Sequence, residues 1–153
     1  MKIMEILVRD AVILNLGVRT KREVLAEMAA ALAKVEPQID ADRLLEVLIE
    51  REALQSTGIG EGVAIPHGKM AGLDRLVASF ARSPEGIEFE SIDGQSTHHF
   101  FLLVVPEHSG GQYLKALARI SRFFRDAAFR QALTEGETLD DVIRAIEEED
   151  AKL

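Results

Sequence analysis

The spacing of apolar residues changes twice along this chain, and that restricts the fold more than any other feature. Between residues 20 and 51 apolar side chains recur every three to four positions, which is the period of an amphipathic helix. Thr20 and Glu23 form a capping box at its start, each side chain free to bond the other's backbone N–H. Val24, Leu25, Met28, Ala29 and Leu32 continue a helix to about Lys34. Pro37 separates it from a second, which begins near Asp40, carries Leu44, Leu45, Val47, Leu48 and Ile49, and reaches Arg51.

From Val63 to Val105 the apolar residues bunch into short runs. Val63–Ile65 predicts a strand stopped by Pro66, with further strands at Leu76–Ala81, Ile87–Phe89 and His99–Val105. Asp93-Gly94 predicts a turn between the last two. Val12–Leu16, ended by Gly17, predicts a first strand near the N-terminus. Helical spacing returns after Ser109, which pairs with Gln112 as a second capping box. Leu114, Leu117, Ile120, Ser121 and Phe124 then line one face, with Phe123 beside it. Asp126 and Thr138 cap two more helices, carrying Phe129 and Leu133, then Val142 and Ile146. Two helices, a block of strands and three helices imply an α/β fold, with helices packed on a mixed sheet. The order of the strands does not follow from the pattern. No linker or repeat interrupts it, so a single domain is expected over residues 6–148.

Composition narrows the chemistry. Hydrophobic residues are 47% and charged ones 29% of 153 residues, enough for a core under a solvated surface. The longest apolar runs, such as Phe100–Val105, are too short to span a bilayer. Glu5, Arg9 and Asp10 break any signal-peptide core before Leu16, so the expected location is the cytoplasm, without membrane insertion. The chain has no cysteine, which removes disulfides and thiolate chemistry. Eighteen basic against 26 acidic residues give a net charge of −8. That leaves no basic stripe for nucleic acid and suits a basic protein partner.

The residues best suited to chemistry lie in one segment. Residues 51–69 read R-E-A-L-Q-S-T-G-I-G-E-G-V-A-I-P-H-G-K. Gly58, Gly60 and Gly62 mark tight turns or close backbone contacts. No strand precedes them and no helix follows, so this is not a dinucleotide fingerprint. His67 ends an apolar run and is held between Pro66, with its fixed φ, and Gly68, which leaves the backbone uncrowded. A histidine so placed reads as presented rather than packed away. Its imidazole is largely neutral at pH 7 and offers a nucleophilic lone pair.

The stretch S-T-G-I-G-E-G-V-A-I-P-H-G-K resembles the phosphorylation site of the fructose/mannitol family of phosphotransferase-system enzyme IIA domains. It is most similar to the nitrogen-regulatory type. The resemblance continues through P-E-G-I-E-F-E-S-I-D-G-Q, F-L-L-V-V-P and L-K-A-L-A-R-I-S, over about nine-tenths of the chain. It implies that family's fold, a mixed sheet with helices on both faces. It also implies that His67 accepts a phosphoryl group as a tele-phosphohistidine, and that Arg51 stabilises the phosphoryl oxygens. A planar guanidinium suits that task, since it can bridge two of them. The donor would be an HPr-type phosphohistidine protein or its nitrogen-branch relative. The recipient would be a regulatory target or a IIB domain, and no cofactor or metal is implied.

One position departs from the family. Where its members carry a second active-site histidine before a leucine, this chain has Tyr113. A phenol can donate a hydrogen bond to phosphate but does not become cationic at neutral pH. His108, five residues earlier, is the other candidate for that place. His98 and His99 are adjacent in an expected strand, so they point to opposite faces and do not share a metal ion. Lys69 reads as a surface lysine, and Glu147–Asp150 as a solvated helix end. Three functional readings remain open: a regulatory phosphocarrier, a fructose- or mannitol-type transport IIA, and a binding module without phosphotransfer. No IIB or membrane segment is fused within the chain, which leans toward the first.

Overall fold

The computed structural model describes residues 1–153. Its centre is β5 (Thr97–Pro106), a strand with helices on both sides. Phe100, Leu102 and Val104 point into a core shared with α1 (Lys21–Val35) and α2 (Ala41–Leu54). Phe101, Leu103 and Val105 point the opposite way, toward α3 (Gly111–Phe123), α4 (Ala127–Glu135) and α5 (Leu139–Lys152). Burial on both faces explains why this strand is a continuous apolar run with no polar alternation. The expected mixed sheet with helices on both faces is therefore present.

β4 (Val77–Ile87) lies antiparallel along one edge of β5. On the other edge run β2 (Val63–Ala64) and β3 (His67–Met70), both parallel to it. Val63 pairs with His99 and His67 with Leu103, so the register is the same before and after Pro66. β2 ends before Pro66, as the sequence predicts, and the same edge resumes beyond the proline as β3. The proline has no N–H to give, yet its carbonyl accepts the Leu103 N–H at 2.9 Å. β1 (Gly58–Gly60) folds back antiparallel on β2. The turn between them has positive φ at Gly60, Glu61 and Gly62, which accounts for two of the three glycines in the motif.

Several local expectations need correction. Val12–Leu16 is not a strand: it meets β4 at an isolated bridge, Ile13 to Ala81. The Ile13 and Leu16 N–H groups bond Phe80 and Arg82 carbonyls. A regular parallel ladder would use residue 15 in place of 16, so one extra residue breaks the pairing. Ile87 ends β4, and Glu88 and Phe89 belong to no strand. Ser109 does not cap α3 with its side chain. Gly110 takes the N-cap position at φ 58, a value that favours glycine. Leu114 stands 64% exposed, and the buried face of α3 is Ala116, Ile120 and Phe123. The acidic run at the C-terminus is not wholly solvated. Asp150 is 2% exposed and accepts the Ile3 and Met4 N–H groups and the Arg119 guanidinium, tying α5 to the first turn of the chain. The caps at Thr20, Asp126 and Thr138 form as expected.

Candidate functional site

His67 opens β3 at the point where Pro66 interrupts the edge. Its Nδ1 lies 2.7 Å from the Ile65 carbonyl oxygen. A carbonyl only accepts, so Nδ1 carries the proton and the lone pair resides on Nε2. Ile65 is itself held, its N–H donating to the Thr57 carbonyl at 3.0 Å. His67 thus has a fixed tautomer and a fixed ring, set by backbone two residues away.

His67 is 7% exposed, more enclosed than its place in the sequence suggests. Burial is the main influence pushing its pKa below the ordinary histidine value. The bond to Ile65 opposes this, the Arg51 charge adds to it, and Glu52 opposes it. The net effect keeps the imidazole neutral and nucleophilic at pH 7.

Arg51 reaches the site from the last turn of α2, where its Nη1 donates to the Gln55 carbonyl at 2.6 Å. Gly68 is what lets α2 come so close. A Cβ built at Gly68 would stand 2.5 Å from Val47 Cγ1, and Val47 lies one helical turn before Arg51 on the same face. The glycine does not leave the backbone uncrowded, as the sequence suggests. It is the contact that seats the helix against His67.

Glu52 has a role that sequence alone does not reveal. Its carboxylate is 5% exposed and receives the Lys21 ammonium at 2.8 Å. It also accepts the Thr57 N–H at 3.1 Å and the Thr57 hydroxyl. This fixes the start of the glycine segment, and through Thr57 and Ile65 it bears on His67. An acid on an amphipathic helix normally reads as solvated. The only hint was its place beside Arg51.

Tyr113, in the first turn of α3, brings its ring to 5.8 Å from the His67 ring at 45°. Lys69 leaves β3 on the same side as His67, and its ammonium lies 5.7 Å from the Tyr113 ring centre. His67, Arg51 and Tyr113 are therefore brought together, with Lys69 and Glu52 added. His108 is exposed in the loop before α3, and it is Tyr113 that flanks His67. His98 and His99 do diverge: His98 bonds the Ser83 carbonyl, whereas His99 stacks between Phe80 and Phe124.

Comparison with known proteins is consistent with this arrangement. A family model described as phosphoenolpyruvate-dependent sugar phosphotransferase system, EIIA 2, matches residues 5–149. A nitrogen regulatory protein of Bradyrhizobium diazoefficiens is 44% identical over 126 residues, covering 82% of each chain. The fructose-specific EIIABC component of Bacillus subtilis is 37% identical over 98% of this chain, which spans 24% of that longer protein. The crystal structure of nitrogen regulatory protein IIA-Ntr from Neisseria meningitidis superposes with a TM-score of 0.87 at 31% identity, over 93% of this chain and 97% of that one.

Proposed function

Since this chain belongs to the EIIA type-2 family of the phosphoenolpyruvate-dependent sugar phosphotransferase system, whose members are phosphocarriers, we propose that His67 is its phosphoryl acceptor. The observation that carries this reading is the Nδ1 bond to Ile65, which commits Nε2 to the reaction. In the transfer, the Nε2 lone pair attacks the phosphorus of a phosphohistidine on the donor. The new N–P bond forms as the donor's N–P bond breaks, and the donor imidazole keeps the electron pair. The proton stays on Nδ1, donated to the Ile65 carbonyl throughout. Transfer between two imidazoles exchanges like bonds, so it is close to balanced and reversible. The protein's contribution is position and charge. Arg51 bridges phosphoryl oxygens, and the Tyr113 hydroxyl donates a hydrogen bond to the group.

The donor is an HPr-type phosphohistidine protein or its nitrogen-branch relative, acting in the cytoplasm. No helix is long and apolar enough to cross a membrane. Exposed Leu54 and Leu114 follow Arg51 and Tyr113 in the chain and supply apolar contact for docking. The regulatory role is favoured by the 44% identity to a nitrogen regulatory protein. Charge at the site then changes with phosphorylation and selects the target. A transport role is the second reading, favoured by 37% identity to a fructose-specific component. It requires onward transfer to a IIB domain.

The test is incubation with phosphoenolpyruvate, enzyme I and an HPr-type protein, followed by intact mass under alkaline conditions. One added phosphoryl group, absent from His67→Ala, is expected. An unchanged mass for the wild type would leave only a binding module that has lost phosphotransfer. A IIB domain added to the phosphorylated protein separates the two family roles by accepting the label or failing to.

A further inference from the structure

A polar cavity of about 510 Å³ at the far end of the sheet is not explained by the chemistry at His67. It is bounded by the ends of β4 and β5, the β1–β2 turn and one face of α4. His99 at its wall pairs with Val63, whereas His67 pairs with Leu103. That is four residues further along β5, or ~13 Å. The two sites are distinct.

Arg82 is the anomaly. It is 8% exposed, and its guanidinium is held by carbonyls alone: Nε to Leu14 at 3.0 Å, and Nη1 to Leu133 at 2.7 Å and Gly136 at 2.6 Å. No carboxylate pairs with it. A buried cation without a counter-charge is costly, and this one is fixed by three bonds where it borders the cavity. Arg130 borders the same space, anchored through Nη1 to the Phe124 carbonyl. Its one acidic neighbour is Glu61, at 3.7 Å with a side chain 76% exposed. Two guanidiniums thus share a concave space with a single, loosely placed carboxylate.

The helix that closes the cavity is patterned for it. Ala127, Arg130, Gln131 and Thr134 all face inward, at the spacing of a single helix face, while Phe129 and Leu133 fill the core. Ser83, His98 and Gln131 add polar groups. A volume of this size exceeds what an inorganic ion needs and falls within the range of small-ligand pockets.

We propose that this cavity is a second binding site, independent of His67, for a small hydroxylated organic anion whose phosphate or carboxylate group lies between Arg82 and Arg130. The oxyanion supplies the missing counter-charge, and the polar wall receives the hydroxylated body. With Nε and Nη1 of Arg82 given to carbonyls, its Nη2 is the nitrogen left to donate to the anion, beside Arg130, and either oxyanion accepts such charge-assisted bonds.

Amide chemical shifts of the ¹⁵N-labelled full chain test this, with glucose 6-phosphate, citrate and neutral glucose as probes. Saturable changes at Gly62, Ser83, His98 and Thr134 are expected with at least one anionic probe and not with glucose. Which anion binds tells phosphate from carboxylate. Arg130→Gln should weaken binding roughly tenfold or more, the usual loss for a charged hydrogen bond, and His67→Ala should leave it unchanged. Arg130 is partly exposed, so its replacement is tolerated where that of Arg82 would endanger the fold. Changes centred on His67, equal changes with glucose, or no saturable change at millimolar concentrations would each overturn the proposal.

Discussion

At the scale of single residues, the site is an imidazole with one nitrogen occupied and one free, flanked by a guanidinium and a phenol. Arg51→Ala should slow phosphorylation of His67 by roughly 10²–10³, the usual loss for one charge-stabilising donor. Its effect on donor docking should be smaller, as read by single-turnover rates against donor concentration. Tyr113 is the sharper probe, because it replaces the family's histidine. Tyr113→Phe should destabilise the transfer state by about 1 kcal/mol, the value of one hydrogen bond. Tyr113→His should prolong the phosphorylated state, most clearly below about pH 6.5, where an unperturbed imidazole becomes cationic. Equal lifetimes for all three proteins across that range would reduce Tyr113 to a packing residue. His67 and Arg51 stood out in the sequence as candidates because their types suit the chemistry and their motif is specific. Glu52 was not, since nothing in a helical pattern says that an acid turns back to hold a backbone five residues on.

At the scale of elements, α2 and β3 decide the geometry, and Gly68 is their point of contact. Gly68→Ala should push Val47 and the helix outward, costing about 1–3 kcal/mol through overpacking. It should also slow phosphotransfer by displacing Arg51. Restoring space with the double change Gly68→Ala and Val47→Ala should recover part of both, measured by urea unfolding and by labelling rate. If Gly68→Ala alone leaves the rate unchanged, the helix does not position Arg51. Helices α1, α2, α4 and α5 were readable from caps and spacing, because local side-chain bonds set their ends. The strands were less so. β2 and β3 are one edge split by a proline, and the run 12–16 joins β4 with an extra residue; both outcomes depend on partners distant in sequence.

At the scale of the whole molecule, one sheet separates two cores and carries a different polar site near each end of β5. His99 links the second site to stability. Its pKa is pushed down to about 4, chiefly by burial, with His98, Arg82 and Arg130 adding to it. Between the ordinary value of 6.5 and about 4 the unfolded chain binds the proton and the folded one does not. Stability is therefore full above about pH 6.5 and falls as pH drops toward 4, by about 3 kcal/mol from this group. Urea unfolding at the two ends of this range should show a smaller acid loss for His99→Phe, which keeps the ring between Phe80 and Phe124; an identical loss would remove His99 from the account.

The central claim is that a backbone carbonyl chooses which nitrogen of His67 reacts. ¹⁵N and ³¹P spectra of the protein, phosphorylated through its donor chain and kept alkaline, identify the bonded nitrogen directly. The account predicts phosphorus coupled to Nε2 of His67 alone, with Nδ1 still protonated against Ile65. Phosphorus on Nδ1, or on any residue that survives in His67→Ala, would contradict it.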